Sequence, residues 1–274
     1  MLEAGARIHS MRRFSQNRRG TAVYAAIALG CASIATRPAA AAEISVLTTA
    51  APSEVEKVLA EKFTAASGHH VAFTIGTVRD TEDKLAGNEA SDIVVLPSPA
   101  LDHHMAQLTP GSRIELARVG IGIVVRDGAP RPDISTVDAL RKTLLAARSI
   151  AHPDPQGGGF AGQQIARLFT RLGIAEALKP KVILAFAATG GVVQVANGEA
   201  EIGLFNISEI LPVKGVTLVG PLVPELQSYI TFSAALDLRS RASGPAASFL
   251  RALSAPQARE AWRSGGFELI GGPP

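Results

Sequence analysis

Four times along this chain a short apolar segment runs into a turn of small residues and then into helical periodicity, at 48–53, 76–80, 154–160 and 187–191. Strands that alternate with helices in this way build parallel sheets flanked by helices, an α/β fold. The third turn has the most character. His152–Gln164, HPDPQGGGFAGQQ, lies between the apolar stretch Leu144–Ala151 and the helical pattern Gln163–Leu172. Three glycines in a row let backbone approach a guest with no Cβ in the way. The helix that follows leaves its first N–H groups unpaired and turns its positive dipole end toward the turn. That geometry suits a small anion.

Elsewhere the same patterning predicts strands over 43–47, 71–75, 91–96, 182–186 and 200–205, and a short one over 149–151. Between them, helices are expected from Ser53 to Ser67, from Asp80 to Leu85, over 100–108, 137–147, 162–172 and 192–196, and twice at the end, 244–253 and 256–264. In the first helix Val55, Val58, Leu59 and Phe63 recur at helical spacing. Two strands are longer than the rest, Leu116–Val125 and Tyr229–Leu236, and they bracket the middle third. They are expected to pass between two lobes, lobe one comprising 43–120 plus 227–274 and lobe two 121–226. Loops at the carboxyl ends of parallel strands line the crevice of open α/β sheets. Two of the four turns from each lobe would then face one cleft.

The pI of about 9.2 raises the question of nucleic acid, and the position of the charge answers it. Of the 27 basic residues, six lie in residues 1–42 with a single acid, Glu3; the remainder carries 21 basic and 23 acidic residues. The body is therefore close to neutral, with no basic stripe and interleaved aromatics, and no nucleic-acid partner is expected. Residues 1–42 read as a secretory signal peptide: a basic Arg12–Arg19, an apolar Thr21–Ala35 too short to span a bilayer comfortably, and small residues giving a cleavage site near Ala41 or Ala42. Sec export is expected over the twin-arginine route that Arg12-Arg13 hints at. The expected location is periplasmic or secreted. Cys31, the one cysteine, lies inside this leader, with lipoprotein attachment there the minor alternative. The mature chain then has no thiol chemistry.

The chain resembles periplasmic solute-binding proteins of ABC importers, specifically the molybdate-binding branch. The resemblance is carried by ISVLTTAAPSEVEKVLAEKF (44–63), SDIVVLPSPALDHHM (91–105), LKPKVILAFAATGGVVQVANGEAEIGLF (178–205) and SFLRALSAPQAREAWRSGGFELI (248–270). It implies a type II periplasmic-binding fold: two lobes, each a mainly parallel sheet flanked by helices, joined by two hinge strands. It also implies an oxyanion such as molybdate or tungstate held by hydroxyls, backbone N–H groups and a tyrosine, an inner-membrane ABC permease as partner, a monomer, and no cofactor. Carried over by position, the first serine of that site falls on Ala51, with Thr49 nearby. The second falls near Thr77 or Val78, the Gly-rich contact at Gly159 and Phe160, the next at Ala188 and Thr189, and the tyrosine on Asn206. This sequence thus lacks the first serine and the tyrosine, and Arg79 stands beside the second turn. An arginine pairs bidentately with carboxylates, so a small organic acid is the alternative ligand. A ligand-sensing domain acting on a protein partner is the alternative role.

Plainer roles stand beside these. Arg79 also fits a solvated surface, Thr49 and Thr77 fit ordinary helix caps, and Asn206 fits a turn residue with Glu209 capping backward. Asp92 reads as a strand-end hydrogen-bonding group. The pairs His69-His70 and His103-His104 point apart and lack a spaced third ligand, so no protein-ligated metal is expected. No G-x-S-x-G elbow, H-E-x-x-H pair or Walker lysine occurs, and an enzyme is not expected.

Overall fold

The structure is a computed structural model that describes residues 41–87, 89–157, 159–185 and 190–270. The proposed leader, including Cys31, lies outside the described residues, as do Ala188 and Thr189.

The apolar alternation of the first segment becomes β1 (Glu43–Thr49), which runs directly into α1 (Ala50–Ser67). Gly68, at φ 74°, closes that helix by giving its N–H to the Thr64 carbonyl, a left-handed cap that glycine adopts without a Cβ penalty. There follow β2 (His70–Gly76), α2 (Val78–Ala86), β3 (Ile93–Pro97) and the short α3 (Ser98–Asp102). The helix expected over 100–108 is only this one, with a separate 3₁₀ turn at Met105–Gln107 that brings Leu108 into a bridge with Asp237. The long strand is β4 (Ile114–Arg126), followed by α4 (Val137–Ala146), β5 (Ile150–Pro153), α5 (Phe160–Arg171), α6 (Ala175–Leu178), β6 (Val182–Ala185), α7 (Gly190–Ala196), β7 (Ile202–Asn206) and α8 (Ile207–Ile210). The chain ends through β8 (Val216–Pro221), β9 (Tyr229–Leu236), α9 (Ser243–Ser254), α10 (Arg259–Ser264) and β10 (Phe267–Leu269).

Two sheets share β4. Its first half pairs antiparallel with β9 from Ile114 to Gly120, and its second half pairs antiparallel with β7 from Ile121 to Val125. The strand order is β2-β1-β3-β9-β4-β7-β5-β6, with β10 and β8 along the other edge of β4. Parallel ladders join β1 to β2 and β3, and β5 to β6 and β7. Antiparallel pairing enters with β4, β8, β9 and β10. The architecture is α/β with a mixed, curled sheet and helices, the type II periplasmic-binding arrangement.

The side chains of the core follow the strands. β3 is buried along its whole length, and the end of the chain is anchored by Trp262 and Phe249, both almost fully buried. The Trp262 indole N–H donates to the Leu253 carbonyl at 2.9 Å, and its ring meets Phe267 edge-on at 5.0 Å. In α1 the apolar spacing misleads at one position. Val58 is 45% exposed while Glu56 is 0% exposed, because the helix is wedged on its Ala51–Ala60 side against β1 and the closing helices.

Asp92 behaves as a structural hub. It accepts from the Ser45 N–H (2.8 Å) and hydroxyl (2.9 Å), the Ser240 hydroxyl (2.7 Å) and the N–H groups of Arg241 and Ala242. Burial works to raise its pKa, and these hydrogen bonds outweigh it and hold the carboxyl below its ordinary range.

At the crossover between the sheets, Gln227 takes the place of a strand neighbour. Its amide oxygen accepts from the Ile121 N–H at 3.0 Å and its amide nitrogen donates to the Ile121 carbonyl at 3.0 Å. Truncating it orphans a buried N–H, so Gln227→Ala is expected to lower the unfolding free energy by about 1–3 kcal/mol in denaturant melts; an unchanged midpoint would show that the clip is redundant.

Candidate functional site

The carboxyl ends of β1, β2, β3, β5, β6 and β7 converge on one pocket of about 100 Å³. From one side it is lined by Thr49, Ala51, Gly76, Thr77 and Val78, with Ile230 and Phe232 of β9 behind them. From the other it is lined by Asp154, Gly157, Gly159 and Phe160, and by Phe205, Asn206 and Glu209. This is the crevice that parallel strand order creates. Of the residues singled out from sequence, Thr49, Ala51, Thr77, Val78, Gly159, Phe160 and Asn206 are brought together here.

Arg79 is not. It is exposed and absent from the lining. Successive helical residues point about 100° apart, so with Val78 buried against the pocket, Arg79 faces solvent. Its expected role as an anion clamp in this pocket is corrected accordingly. Thr77 lines the pocket, but its hydroxyl is committed. It donates to Asp80 Oδ2 at 2.8 Å and accepts from the Asp80 N–H at 3.1 Å, while the Thr77 N–H donates to the same carboxylate at 2.9 Å. This T-x-x-D capping box satisfies the start of α2 internally, and these bonds, that from the Thr77 backbone first, hold the Asp80 carboxyl below its ordinary range.

The other two long helices are open at this end. Thr49 precedes α1 and Gly159 precedes α5, each extended in backbone and neither giving a side-chain cap. The Thr49 hydroxyl and the Asn206 amide oxygen are buried and have no partner among the described residues. The α5 terminus is pressed onto the strand end that precedes it: a Cβ at Gly162 would stand 2.6 Å from the Pro153 carbonyl and 2.7 Å from that of Asp154. Gly162→Ala must therefore push α5 outward, and the pocket wall with it. A loss of ligand affinity of at least tenfold is expected in a calorimetric titration, together with a lowered melting temperature, because the atoms in the way are backbone. His152, from the same motif, is buried instead against the Phe169 ring at 5.3 Å and takes no part in the lining.

No lysine or arginine lines the pocket among the described residues. Its titratable groups are two carboxyls. Asp154 accepts from the Gln156 N–H at 2.8 Å. Glu209 is a partly exposed residue whose carboxyl group is enclosed; burial pushes it up to about 7, against the opposing pull of the Asn206 side chain and backbone N–H. Sequence reasoning placed Glu209 as a backward cap of Asn206 and not as part of the site; the N-x-x-E spacing at 206–209 was the available signal. Glu199 and Glu201 are exposed and do not line the pocket, and Glu201 pairs with Arg148 at 3.2 Å. What the pocket offers chemically is backbone and hydroxyl hydrogen bonding, apolar ring walls and one carboxyl that titrates near neutrality.

Among the described residues no helix is long and apolar enough to cross a membrane. Against known proteins, residues 44–268 match the family model described as bacterial extracellular solute-binding protein. An aconitate isomerase from Pseudomonas sp. is 33% identical over 190 residues, 69% of this chain and 71% of that protein. The molybdate-binding protein ModA of Rhodobacter capsulatus is 26% identical over 263 residues, 94% of this chain and 99% of that protein. The Azotobacter vinelandii periplasmic molybdate-binding protein superposes with a TM-score of 0.69 at 19% identity, covering 83% of this chain and 99% of that one. With its fold, its cleft and its matched span in agreement, this chain belongs to the bacterial extracellular solute-binding protein family.

Proposed function

We propose that this chain is exported to the periplasm, captures a small anion in the pocket between its two sheets, and presents it to an ABC permease. One observation carries the reading. Among the described residues, the N-termini of α1 and α5, without side-chain caps, and the unpartnered Thr49 hydroxyl meet in a pocket that no cationic side chain lines. Unpaired helical N–H groups and the dipole end hold an anion without a counter-charge. The halves on either side of residues 120–124 and 226–230 act as lobes that close on the ligand by a hinge motion.

Ala51 and Asn206 stand where the molybdate branch has a serine and a tyrosine, and Phe160, Phe205 and Phe232 add apolar walls. The ligand that fits this balance is a small organic acid, its carboxylate on the helix termini and its carbon skeleton against the rings. The 33% identity to an aconitate isomerase supports that class. The test is calorimetry with molybdate, tungstate, sulfate and a panel of carboxylates including aconitate. Carboxylates are expected to bind at least tenfold more tightly than molybdate; the reverse order would return the pocket to the tetrahedral oxyanions.

A second reading, as an isomerase, is favoured by Glu209. A carboxyl titrating at about 7 inside the pocket is matched to proton transfer at neutral pH. As carboxylate it would take a proton from the methylene next to one carboxylate of aconitate. The double bond shifts by one position, and the same proton or a solvent-exchanged one is returned to the former vinyl carbon, with no net change in atoms or electrons. Incubation with aconitate in D₂O discriminates the readings. Interconversion of the aconitate isomers, or deuterium entering the carbon skeleton, abolished in Glu209→Gln, establishes turnover; binding with neither leaves a binding protein.

A further inference from the structure

We propose that the groove beside the pocket is a second carboxylate subsite, with Arg167 its cation, so that pocket and groove together take a di- or tricarboxylate. This rests on the organic-acid reading of the pocket and extends it. The groove has a volume of about 650 Å³ and shares Pro97, Phe160 and Ile230 with the pocket. The two spaces are therefore adjoining, with the Phe160 ring on their common wall.

Phe160, Gln164 and Arg167 follow one another at i, i+4 and i+7 on α5, one face of a helix. At about 1.5 Å per residue, Gln164 lies roughly 6 Å and Arg167 roughly 10 Å along the axis from Phe160, and an arginine side chain reaches back over much of the second interval. The opposite wall belongs to β4 and β9, with Arg118 and Tyr229. The charges facing the groove divide clearly. The Arg118 guanidinium is spent: it stacks on Tyr229 at 4.2 Å and donates twice to one Glu268 oxygen, at 3.0 and 2.7 Å, while the Tyr229 hydroxyl donates to the other at 2.7 Å. Glu115 faces Arg113 at 3.8 Å. Arg167 makes only a 3.4 Å contact with the Gln163 amide oxygen and has no carboxylate partner among the described residues.

Next to it the Gln164 amide oxygen is buried and has no partner among the described residues, and the amide nitrogen stands 3.5 Å from the Tyr229 carbonyl across the groove. An amide so weakly held can turn its N–H₂ toward a ligand oxygen. Among the described residues, the pocket thus holds the dipoles and no cation, and the groove holds the available cation and an adaptable amide. A monoanion is served by the pocket alone. A ligand with further carboxylates one to three carbons away extends past Phe160 and meets Gln164 and Arg167.

The experiment is calorimetry of the full chain with butyrate, succinate and tricarballylate, saturated acids of one, two and three carboxylates that the isomerisation chemistry cannot consume. Affinity is expected to rise at least tenfold from butyrate to tricarballylate. Arg167→Gln is expected to remove about tenfold of tricarballylate affinity while leaving butyrate within twofold, and Gln164→Ala to act in the same direction. Equal affinity for the three acids, or an Arg167→Gln effect of the same size on all of them, would overturn the subsite while leaving the pocket intact. Failure of every carboxylate to bind would instead remove the organic-acid reading on which it rests.

Discussion

Replacing Glu56 by Gln is expected to stabilise the protein by roughly 3–5 kcal/mol at pH 8.5 and to change it by no more than about 1 kcal/mol at pH 4. Glu56 sits inside α1 with no exposed surface, and neither carboxyl oxygen has a hydrogen-bond partner among the described residues. Burial pushes its carboxyl from 4.5 up to about 8, outweighing the opposing pull of the nearby Thr48 hydroxyl. The sign follows from proton counting. Between pH 4.5 and about 8 the folded state keeps a proton that the unfolded chain has released, so the stability associated with neutral Glu56 is full below pH 4.5 and is lost as pH rises through about 8. At about 1.4 kcal/mol per pH unit of separation, the whole window is worth several kcal/mol. Glu209 acts in the same direction over a shorter window, up to about 7. Wild type should therefore weaken from pH 5 to pH 8.5, and Glu56→Gln should flatten most of that slope in urea melts. A variant with unchanged slope would mean that Glu56 is ionised and solvated in the folded protein.

The second large effect concerns the ligand. With Glu209 ionised, a bound anion faces an uncompensated negative charge across an enclosed pocket; with Glu209 protonated it does not. Affinity for an anion whose own pKa lies well below 6 is expected to be level below about pH 7 and to fall about tenfold per pH unit above it, reaching roughly 30-fold weaker at pH 8.5. Binding above pH 7.5 is accompanied by uptake of about one proton, visible as a dependence of the calorimetric heat on the buffer's ionisation enthalpy. Glu209→Gln should bind at pH 8.5 as wild type does at pH 6, with no proton uptake. A steep decline persisting in the variant would assign the titration to a group other than Glu209.

Why some of this was legible from sequence and some was not has a physical basis. The strand–turn–helix order follows from local patterning, and β9 runs from Tyr229 to Leu236 as its β-branched and aromatic alternation predicts. The short edge pieces β8 and β10 were not anticipated. Val216–Pro221 is only partly buried and Phe267–Leu269 has three residues, so their pairing with β4 is decided by tertiary contact and not by local pattern. The Gly-rich turn announces itself through residues that only a close backbone approach requires, and Gly157 and Gly159 do line the pocket. Arg79 shows the limit of adjacency in sequence: one helical step separates the pocket wall from solvent. Glu56 and Glu209 show another. A glutamate in a helix reads as a surface residue, and nothing in its neighbours' spacing tells that the helix is wedged on that side. The Arg167 groove is equally hidden, since it forms only where α5 of one sheet faces β4 and β9 of the other.

The most direct test of the account is a calorimetric titration of the wild-type protein and of Ala51→Leu with the carboxylate panel at pH 6. Ala51 is 5% exposed at the start of α1 and lines the pocket, so a leucine there fills the space an anion would take without touching the hinge or the groove. The account expects saturable one-to-one binding by wild type and a loss of at least a hundredfold in the variant at an unchanged fold, judged by its circular dichroism. An anion that binds both proteins equally, or a wild type that binds none, would contradict the claim that this pocket captures an anion through the ends of its helices.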